Sequence, residues 1–144
     1  MSIYVCKVCG HIEFEAAPEN CPVCFAPKDK FDNNNTVFTD AMEKSKEGAV
    51  KHIPVVQVVQ ECGLVPEKPC TDILVRIGET LHPMEDKHFI QFIDCYVDHK
   101  YVSRIMLTPM VNPSVVFHLK ETGSKVQIVE MCNLHGHWMK EEKL

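Results

Sequence analysis

Short runs of β-branched and aromatic residues dominate the chain from Ile53 onward, and they predict strands. The runs cover residues 53–60, 73–77, 89–97, 101–108, 114–120 and 125–131. Residues typical of turns separate each run from the next, and no stretch keeps the i, i+3, i+4 apolar spacing of a helix for three turns. Six or seven short strands within about 90 residues predict an antiparallel β-sandwich.

The first third of the chain has a different pattern. Residues 1–28 are punctuated by Cys, Pro and Gly, and a segment this small cannot form a useful apolar core alone. Residues 29–50 are polar and contain a predicted helix of about two turns, which Thr39 or Asp40 could cap and Gly48 could end. The predicted organisation is a metal-stapled domain at 1–35, a linker with a short helix at 36–50 and the sandwich at 51–144.

Composition and charge narrow the class of protein. Of the 144 residues, 45% are hydrophobic and 24% charged, as is usual for globular proteins, and the net charge is -5. No dense Lys/Arg block is present, so a nucleic-acid partner is not expected. No apolar run approaches the ~20 residues of a membrane span, and the first residues lack a secretory pattern. We therefore expect a cytoplasmic protein without membrane contact.

The eight cysteines and eight histidines are the unusual counts. Four cysteines form two C-x2-C pairs separated by an eleven-residue gap, namely Cys6, Cys9, Cys21 and Cys24. In a reducing compartment such pairs hold metal more often than they form disulfides, and four thiolates select zinc or iron. The spacing alone does not separate the two metals. A zinc ribbon would be structural, whereas iron would add a one-electron function.

The surroundings of these cysteines resemble a known domain. Tyr4 to Gly10, Cys21 to Cys24 and the following Ala26-Pro27 resemble the rubredoxin-like domain of rubrerythrins. The resemblance implies a mononuclear iron bound by the four cysteines.

A second set of metal-ligating residues is scattered through the predicted sandwich. His52 is expected to open the first strand, His82 and His88 to bracket a short loop, and Cys132 and His135 to share a turn after the last strand. Each histidine taken singly is more often a surface or hydrogen-bonded residue than a ligand. Together, at one end of a sandwich, the five can converge on one ion.

The motifs that carry this set resemble the iron-site motifs of superoxide reductases, the desulfoferrodoxin and neelaredoxin family. They are Lys-His-Ile-Pro, His-Pro-Met-x3-His and Cys-Asn-Leu-His-Gly-His-Trp, and the resemblance runs from about Val50 to the C-terminus. It implies an immunoglobulin-like sandwich with a non-haem iron bound by His52, His82, His88 and His135 in a plane and by Cys132 axially. It also implies an oxidoreductase that reduces superoxide to hydrogen peroxide without dismutation, for detoxification under oxidative stress.

The partners implied by the resemblance are superoxide as substrate, a rubredoxin or similar small electron donor, and a second copy in a homodimer.

Lys51 is the candidate catalytic residue, because a cation beside a ligand can attract a small anion. The sequence departs from the family at Val50, where a Glu usually precedes the Lys-His pair, and the nearest acid is Glu47.

Two other functions fit the same residues. One is an electron-transfer protein with two iron sites and no substrate, and the other is a zinc-ribbon plus β-sandwich binding module. Several residues are expected to have no role in a site. Cys62, Cys70 and Cys95 have no partner motif, and Cys95 is expected to be a small buried hydrophobe in an apolar strand. His11, His99 and His118 are expected as ordinary residues at the surface or at a strand edge. For Cys62 and Cys70 a regulatory disulfide is the alternative.

Overall fold

The computed structural model describes residues 1–45, 48–120 and 123–144. The N-terminal part forms a small antiparallel sheet in the order β2-β1-β3, from β1 (Ile3–Cys6), β2 (Ile12–Phe14) and β3 (Phe31–Asn33). One 3-10 turn, Lys28–Lys30, leads into β3. These strands were not predicted, because runs of three or four residues carry too little periodicity.

The rest of the chain is the predicted antiparallel sandwich. Its strands are β4 (Pro54–Val59), β5 (Thr71–Ile77), β6 (Ile90–Val97), β7 (Lys100–Met106), β8 (Ser114–Leu119), β9 (Lys125–Cys132) and β10 (Gly136–Lys143). One sheet has the order β10-β9-β6-β7 and the other β4-β5-β8. The mainly β class is confirmed. Strand β10 was not among the predicted strands, since its charged second half hides the apolar pattern.

The sandwich core lies between these two sheets. Alternate residues of β5, β6 and β9 point into it and are almost fully buried, as Ile73, Ile93 and Ile128 illustrate. Burial of each such side chain stabilises the fold by about 1.5–3 kcal/mol. Cys95 is 0% exposed in this core, which confirms its prediction as a small buried hydrophobe.

The predicted single helix of the linker is instead two helices, α1 (Val37–Lys44) and α2 (Ala49–His52). Thr36 is the N-cap residue of α1, so the predicted caps at Thr39 and Asp40 are wrong. Gly48 precedes α2 rather than ending α1. His52 is the last residue of α2, so it does not open a strand. The domain boundaries at 35 and 50 stay a prediction.

The small sheet packs on the four-stranded sheet of the sandwich. Ile12 and Phe14 share a buried cluster with Tyr96 and Val129, which explains how so short a segment is stabilised. The Tyr96 hydroxyl donates to the Ile12 carbonyl at 2.7 Å. This shared core supplies apolar burial that residues 1–28 lack by themselves.

Two backbone carbonyls of the first C-x2-C turn accept hydrogen bonds from the sandwich. Arg104 Nη1 donates to the Cys9 carbonyl at 2.9 Å, and His137 Nε2 donates to the Gly10 carbonyl at 2.7 Å. Gly10 has φ +78°, and a Cβ there would lie 3.0 Å from Met131 Sδ. Glycine is therefore required by both the turn and the close approach of the two sheets.

His11 lies in the same interface and is 0% exposed, so its prediction as a surface residue is wrong. Its Nε2 contacts Glu13 at 2.7 Å and its Nδ1 lies 3.8 Å from Asp94. Burial lowers the pKa of His11, but the hydrogen bonds to Asp94 and Glu13 outweigh burial and leave the pKa raised. Asp94 in turn accepts two bonds from Arg104, at 2.6 and 2.8 Å. A buried charge network thus joins the two parts of the chain.

Among the described residues, no helix is long and apolar enough to span a membrane.

Candidate metal centres

The four predicted cysteine ligands converge in the small sheet, and we refer to Cys6, Cys9, Cys21 and Cys24 as the four-cysteine site. Cys6 ends β1, and the Gly10 N–H donates to the Cys6 carbonyl at 2.9 Å, which closes the first turn. The second turn closes in the same way, from Phe25 to Cys21 at 2.9 Å. These bonds curl each C-x2-C pair around one point.

The spacing of the sulfurs fits a tetrahedral ion. The Cys6 and Cys24 sulfurs are 3.7 Å apart, and those of Cys9 and Cys21 are 3.6 Å apart. Metal–sulfur bonds of about 2.3 Å give tetrahedral edges of about 3.8 Å. Burial raises the pKa of the Cys9 and Cys21 thiols, so metal binding has to displace their protons.

The second predicted set also converges, at one end of the sandwich, and we call it the histidine–cysteine site. Its members come from four places in the fold: His52 from the end of α2, His82 and His88 from the loop before β6, Cys132 from the end of β9, and His135 from the turn into β10. The β6–β9 register pairs Ile90 with Cys132, which aligns the ends of these elements.

The four imidazoles occupy the corners of a near-square. Neighbouring ring centroids are 4.7 Å apart for His52 and His82, 4.7 Å for His82 and His88, 5.1 Å for His88 and His135, and 4.9 Å for His135 and His52. The His52–His88 diagonal is 6.5 Å, longer than any edge, as a square requires. Neighbouring rings are steeply inclined, with interplanar angles of 70–83°. Such rings can direct one nitrogen each toward a common centre.

The nitrogen atoms agree with this arrangement. His52 Nε2 is 3.3 Å from His82 Nε2 and 3.2 Å from His135 Nδ1. Adjacent ligands of a square plane are roughly 3 Å apart when the metal–nitrogen bonds are about 2.1 Å. The His88 Nε2 atom is buried and has no hydrogen-bond partner among the described residues. An orphaned nitrogen at a corner of the square is what a bound cation would satisfy.

Backbone carbonyls fix which ring nitrogens face the centre. His52 Nδ1 donates to the Gly48 carbonyl and His82 Nδ1 to the Pro83 carbonyl, both at 2.7 Å. With Nδ1 protonated, Nε2 of each ring keeps its lone pair for a metal. Cys132 is 0% exposed, and its sulfur lies 3.6 Å from His135 Nδ1. It shares a ligand cluster with His52, His88 and His135, in which all four ligand atoms lie within 4.8 Å of one another.

Comparison with known proteins finds two family models that match the chain. The model of the desulfoferrodoxin family matches residues 41–141, and that of the rubrerythrin rubredoxin-like domain matches residues 4–32. The chain belongs to the desulfoferrodoxin family. The desulfoferrodoxin of Desulfarculus baarsii is 34% identical over 142 residues, covering 98% of this chain and 96% of that protein.

Two solved structures resemble the desulfoferrodoxin-type fold of this chain. The superoxide reductase from Nanoarchaeum equitans has a TM-score of 0.53 and 25% identity, covering 65% of this chain and 93% of that chain. The superoxide reductase (neelaredoxin) from Ignicoccus hospitalis has a TM-score of 0.57 and 24% identity, covering 74% and 89%. With these comparisons, the two kinds of site confirm iron as the predicted cofactor of this desulfoferrodoxin.

Burial and mutual repulsion prepare the imidazoles as ligands. Burial, together with the neighbouring imidazoles, lowers the pKa of His82 to about 4. Burial is also the largest cause that lowers the pKa values of His52 and His88, and repulsion from the charges of His135 and Lys51 contributes in the same direction. All three rings are therefore neutral near pH 7, the form that binds a metal. Burial likewise raises the pKa of the Cys132 thiol, so its ligation releases a proton.

The remaining residues in and beside the family motifs surround the histidine–cysteine site or lie next to it in the sequence. Trp138 stacks on His52, with centroids 4.7 Å apart, and its Nε1 donates to the His135 carbonyl at 3.2 Å. Lys51 is exposed on α2 beside His52. Val50, which replaces the usual Glu, is 50% exposed and offers no ligand atom. Glu47, the nearest acid in the sequence, lies outside the described residues.

Glu130 is a buried residue near the site that was not predicted. It is 0% exposed on β9, and neither carboxylate oxygen has a hydrogen-bond partner in the part of the chain that the structure describes. Burial raises its pKa well above the ordinary value. The sequence does carry one signal, its place in the inward-facing series Val126, Ile128, Glu130, Cys132, where a carboxyl group is out of pattern.

Glu130→Gln should stabilise the protein, and the gain should grow from about pH 5 to about pH 8. The pKa of Glu130 is higher in the folded protein than in the unfolded chain. Below the pKa in the unfolded chain, the carboxyl group is protonated in both states, so its ionisation does not change the free energy of unfolding. Above that value the unfolded chain ionises and the folded chain does not, so stability falls as pH rises. Urea unfolding midpoints across this range measure the effect. The exposed Glu43→Gln on α1 is the control, and parallel curves for the Glu130 variant and wild type would contradict the prediction.

Proposed function

We propose that this chain is a superoxide reductase, which reduces superoxide by one electron to hydrogen peroxide and produces no oxygen. The observation that carries the proposal is the near-square of four imidazoles with the Cys132 sulfur beside it. The Nanoarchaeum equitans protein of similar fold is a superoxide reductase. Family membership and the two kinds of metal site support the proposal as well.

The proposed ligands of the reactive iron are Nε2 of His52, His82 and His88, Nδ1 of His135, and the sulfur of Cys132. Ferrous iron bound there would supply the electron that reduces superoxide. Donation of electron density from the Cys132 thiolate to the iron would favour the transfer of that electron. The Gly48 and Pro83 carbonyls hold two of the rings in the ligating orientation. Trp138 covers the His52 face, which limits water on that side.

Lys51 is proposed to attract the substrate. The net charge of the chain is -5, which repels an anion, but charges beyond ~8 Å are largely screened at physiological salt. Local charge therefore decides the approach. The Lys51 charge lowers the pKa of both His52 and His88, so its field reaches two corners of the imidazole square.

The four-cysteine site is proposed to hold an iron that accepts electrons from outside. Its first turn is hydrogen-bonded to the sandwich through Arg104 and His137, and His137 lies on β10, two residues after His135. A rubredoxin or similar small protein is the proposed donor, and a homodimer the proposed assembly. The cytoplasm is the proposed location, because five of the eight cysteines are proposed metal ligands, and in a reducing compartment cysteines hold metal more often than they form disulfides.

The test is to mix the reduced, iron-loaded protein with superoxide without air. We expect loss of one ferrous centre with about one hydrogen peroxide per superoxide and no oxygen. Oxygen release would indicate dismutation and contradict the proposal. Oxidation of both irons without peroxide would favour an electron-transfer protein, and a native preparation containing zinc alone would favour a binding module.

Lys51→Ala should slow the bimolecular reaction with superoxide by about tenfold and reduce its dependence on salt. The reason is the loss of a positive charge whose field reaches His52 and His88. Stopped-flow rates at several ionic strengths measure both effects. Lys143→Ala is the matched control, since Lys143 is also exposed but lies seven residues along β10 from Gly136, roughly 23 Å away. Equal rates and salt slopes for the two variants would remove Lys51 from the function.

A further inference from the structure

A third group of ligand-type side chains lies at the opposite end of the β4-β5-β8 sheet from the histidine–cysteine site. Cys62 and Cys70, in the loop between β4 and β5, form a disulfide with their Cα atoms 5.7 Å apart. No motif pairs these two cysteines in the sequence, and the structure bears out the disulfide that was left as the alternative. In the β4–β5 ladder, Pro54 pairs with Ile77 at the end near the histidine–cysteine site, and Val59 pairs with Asp72 at the opposite end. The two pairs are five residues apart along the strand, which is roughly 17 Å.

Two further side chains complete this group. Asp72 on β5 pairs directly with His118 on β8, and His118 Nδ1 contacts an Asp72 carboxylate oxygen at 2.6 Å. The other Asp72 oxygen accepts from the Gly63 N–H at 3.4 Å. The Cys70 sulfur lies 4.0 Å from Asp72. One ligand atom from each of the four residues lies within 4.8 Å of the other three.

We propose that Cys62, Cys70, Asp72 and His118 form a redox-gated zinc site, which binds zinc when the two cysteines are reduced and loses it when they form the disulfide. Two thiolates, one imidazole and one carboxylate are a donor set that zinc accepts in tetrahedral geometry. We call these four residues the gated site.

The packing of the gated site suits this exchange. Cys70 is 5% and Asp72 9% exposed, so two ligands are fixed at the end of the sheet. Cys62 is half-buried and His118 exposed, so an ion can enter from solvent. Reduction has to separate the sulfurs to about 3.8 Å. The loop is open at Gly63, where a Cβ would meet no described atom within 4 Å apart from its two chain neighbours. The four-cysteine site shows the same spacing, 3.6 and 3.7 Å.

Asp72 and His118 form a bonded pair beside the disulfide. Asp72 is a buried carboxylate, and its partners within the described part of the chain are one exposed imidazole and one backbone N–H. It lies against the disulfide. Burial of such a group costs free energy unless it is paired. In the disulfide form His118 pairs with the carboxylate, and in the reduced form a zinc ion would bind both side chains together with the two thiolates.

The oxidant for the exchange is hydrogen peroxide, and this step rests on the proposed function, which makes peroxide in the same molecule. One thiolate attacks a peroxide oxygen, the O–O bond breaks and hydroxide leaves, giving a sulfenic acid. The second thiolate attacks that sulfur, the S–O bond breaks and the disulfide forms. Together one peroxide and two protons are consumed, two water molecules form, two sulfurs are oxidised and the zinc ion is released.

The first experiment measures zinc binding by the full chain with iron in both centres. The protein is reduced with a phosphine, desalted without air, dialysed against zinc chloride, and analysed for zinc and iron. We expect about one zinc per chain in the reduced protein and none in the disulfide form, with the iron content unchanged. The variant Cys62→Ser/Cys70→Ser should bind none.

Single variants separate ligation from disulfide formation. Asp72→Asn and His118→Asn keep both cysteines, and each should weaken zinc binding at least about tenfold. His99→Asn is the matched control, because it removes a histidine outside the gated site, and it should bind zinc as wild type does. Cobalt chloride gives a second readout, since tetrahedral cobalt with thiolate ligands absorbs visible light.

The second experiment adds hydrogen peroxide directly to the zinc-loaded protein, so it does not depend on superoxide reduction. We expect one zinc released for each disulfide formed, counted by a zinc dye and by alkylation of the remaining thiols. The proposal is overturned if the reduced wild type binds no zinc beyond the cysteine double variant, if the folded protein resists reduction, or if peroxide forms the disulfide without releasing zinc. Failure of superoxide reduction alone would leave these results intact.

Discussion

Cys132→Ser should abolish the thiolate-to-iron charge-transfer absorption of the oxidised protein and slow its reaction with superoxide by about 100-fold or more, equivalent to about 2.7 kcal/mol in the barrier. The sulfur belongs to the ligand cluster with His52, His88 and His135. A hydroxyl donates far less electron density and stays protonated. Visible spectroscopy and stopped-flow mixing with superoxide measure the two effects.

Cys95→Ser is the matched control for this prediction. Cys95 and Cys132 are both free thiols, 0% exposed and part of the same apolar core, so each substitution buries one new hydroxyl. The Cys95 variant should lose only the stability that the buried hydroxyl costs, and it should keep the colour and activity that the Cys132 variant loses. Retained charge-transfer absorption in Cys132→Ser would remove Cys132 from the set of ligands.

Asp94→Ala should destabilise the protein by about 3–5 kcal/mol, the usual cost of removing one partner of a buried ion pair. Asp94 is 0% exposed and accepts two bonds from Arg104, whose side chain is only 5% exposed. Its loss leaves the guanidinium buried without its carboxylate and removes a group that keeps the pKa of His11 raised. Urea unfolding near neutral pH measures the change.

The control for this substitution removes both charges. Asp94→Leu/Arg104→Met should recover a large part of the lost stability, because no uncompensated charge remains. The pH dependence gives a second check. Because the pKa of His11 is raised in the folded protein, protonated His11 stabilises the fold fully at pH values below 6.5, its pKa in the unfolded chain. This stabilisation is lost as the pH rises through the pKa of His11 in the folded protein. Without Asp94 this loss should become smaller, and an unchanged slope would contradict the assigned network.

The sequence predicted both candidate metal centres, for different reasons. The C-x2-C pairs of the four-cysteine site are local, so spacing alone indicated them. The ligands His52 and His135 are 83 residues apart and meet only through the fold, so they were found through the family resemblance. Glu130 and His11 were missed, because their burial depends on which strand face meets which neighbour. The pairing of Cys62 could not be decided, because an eight-residue separation carries no geometry by itself.

The contact between the small sheet and the sandwich has a consequence for cooperativity. Tyr96 and Val129 complete a cluster with Ile12 and Phe14, and Arg104 and His137 hold the backbone of the first cysteine turn. Cutting the chain at the predicted boundary would expose this apolar surface on both pieces and open the Asp94 network to water. The two parts should therefore melt in a single transition, with each metal ion stabilising the distant half of the molecule as well as its own.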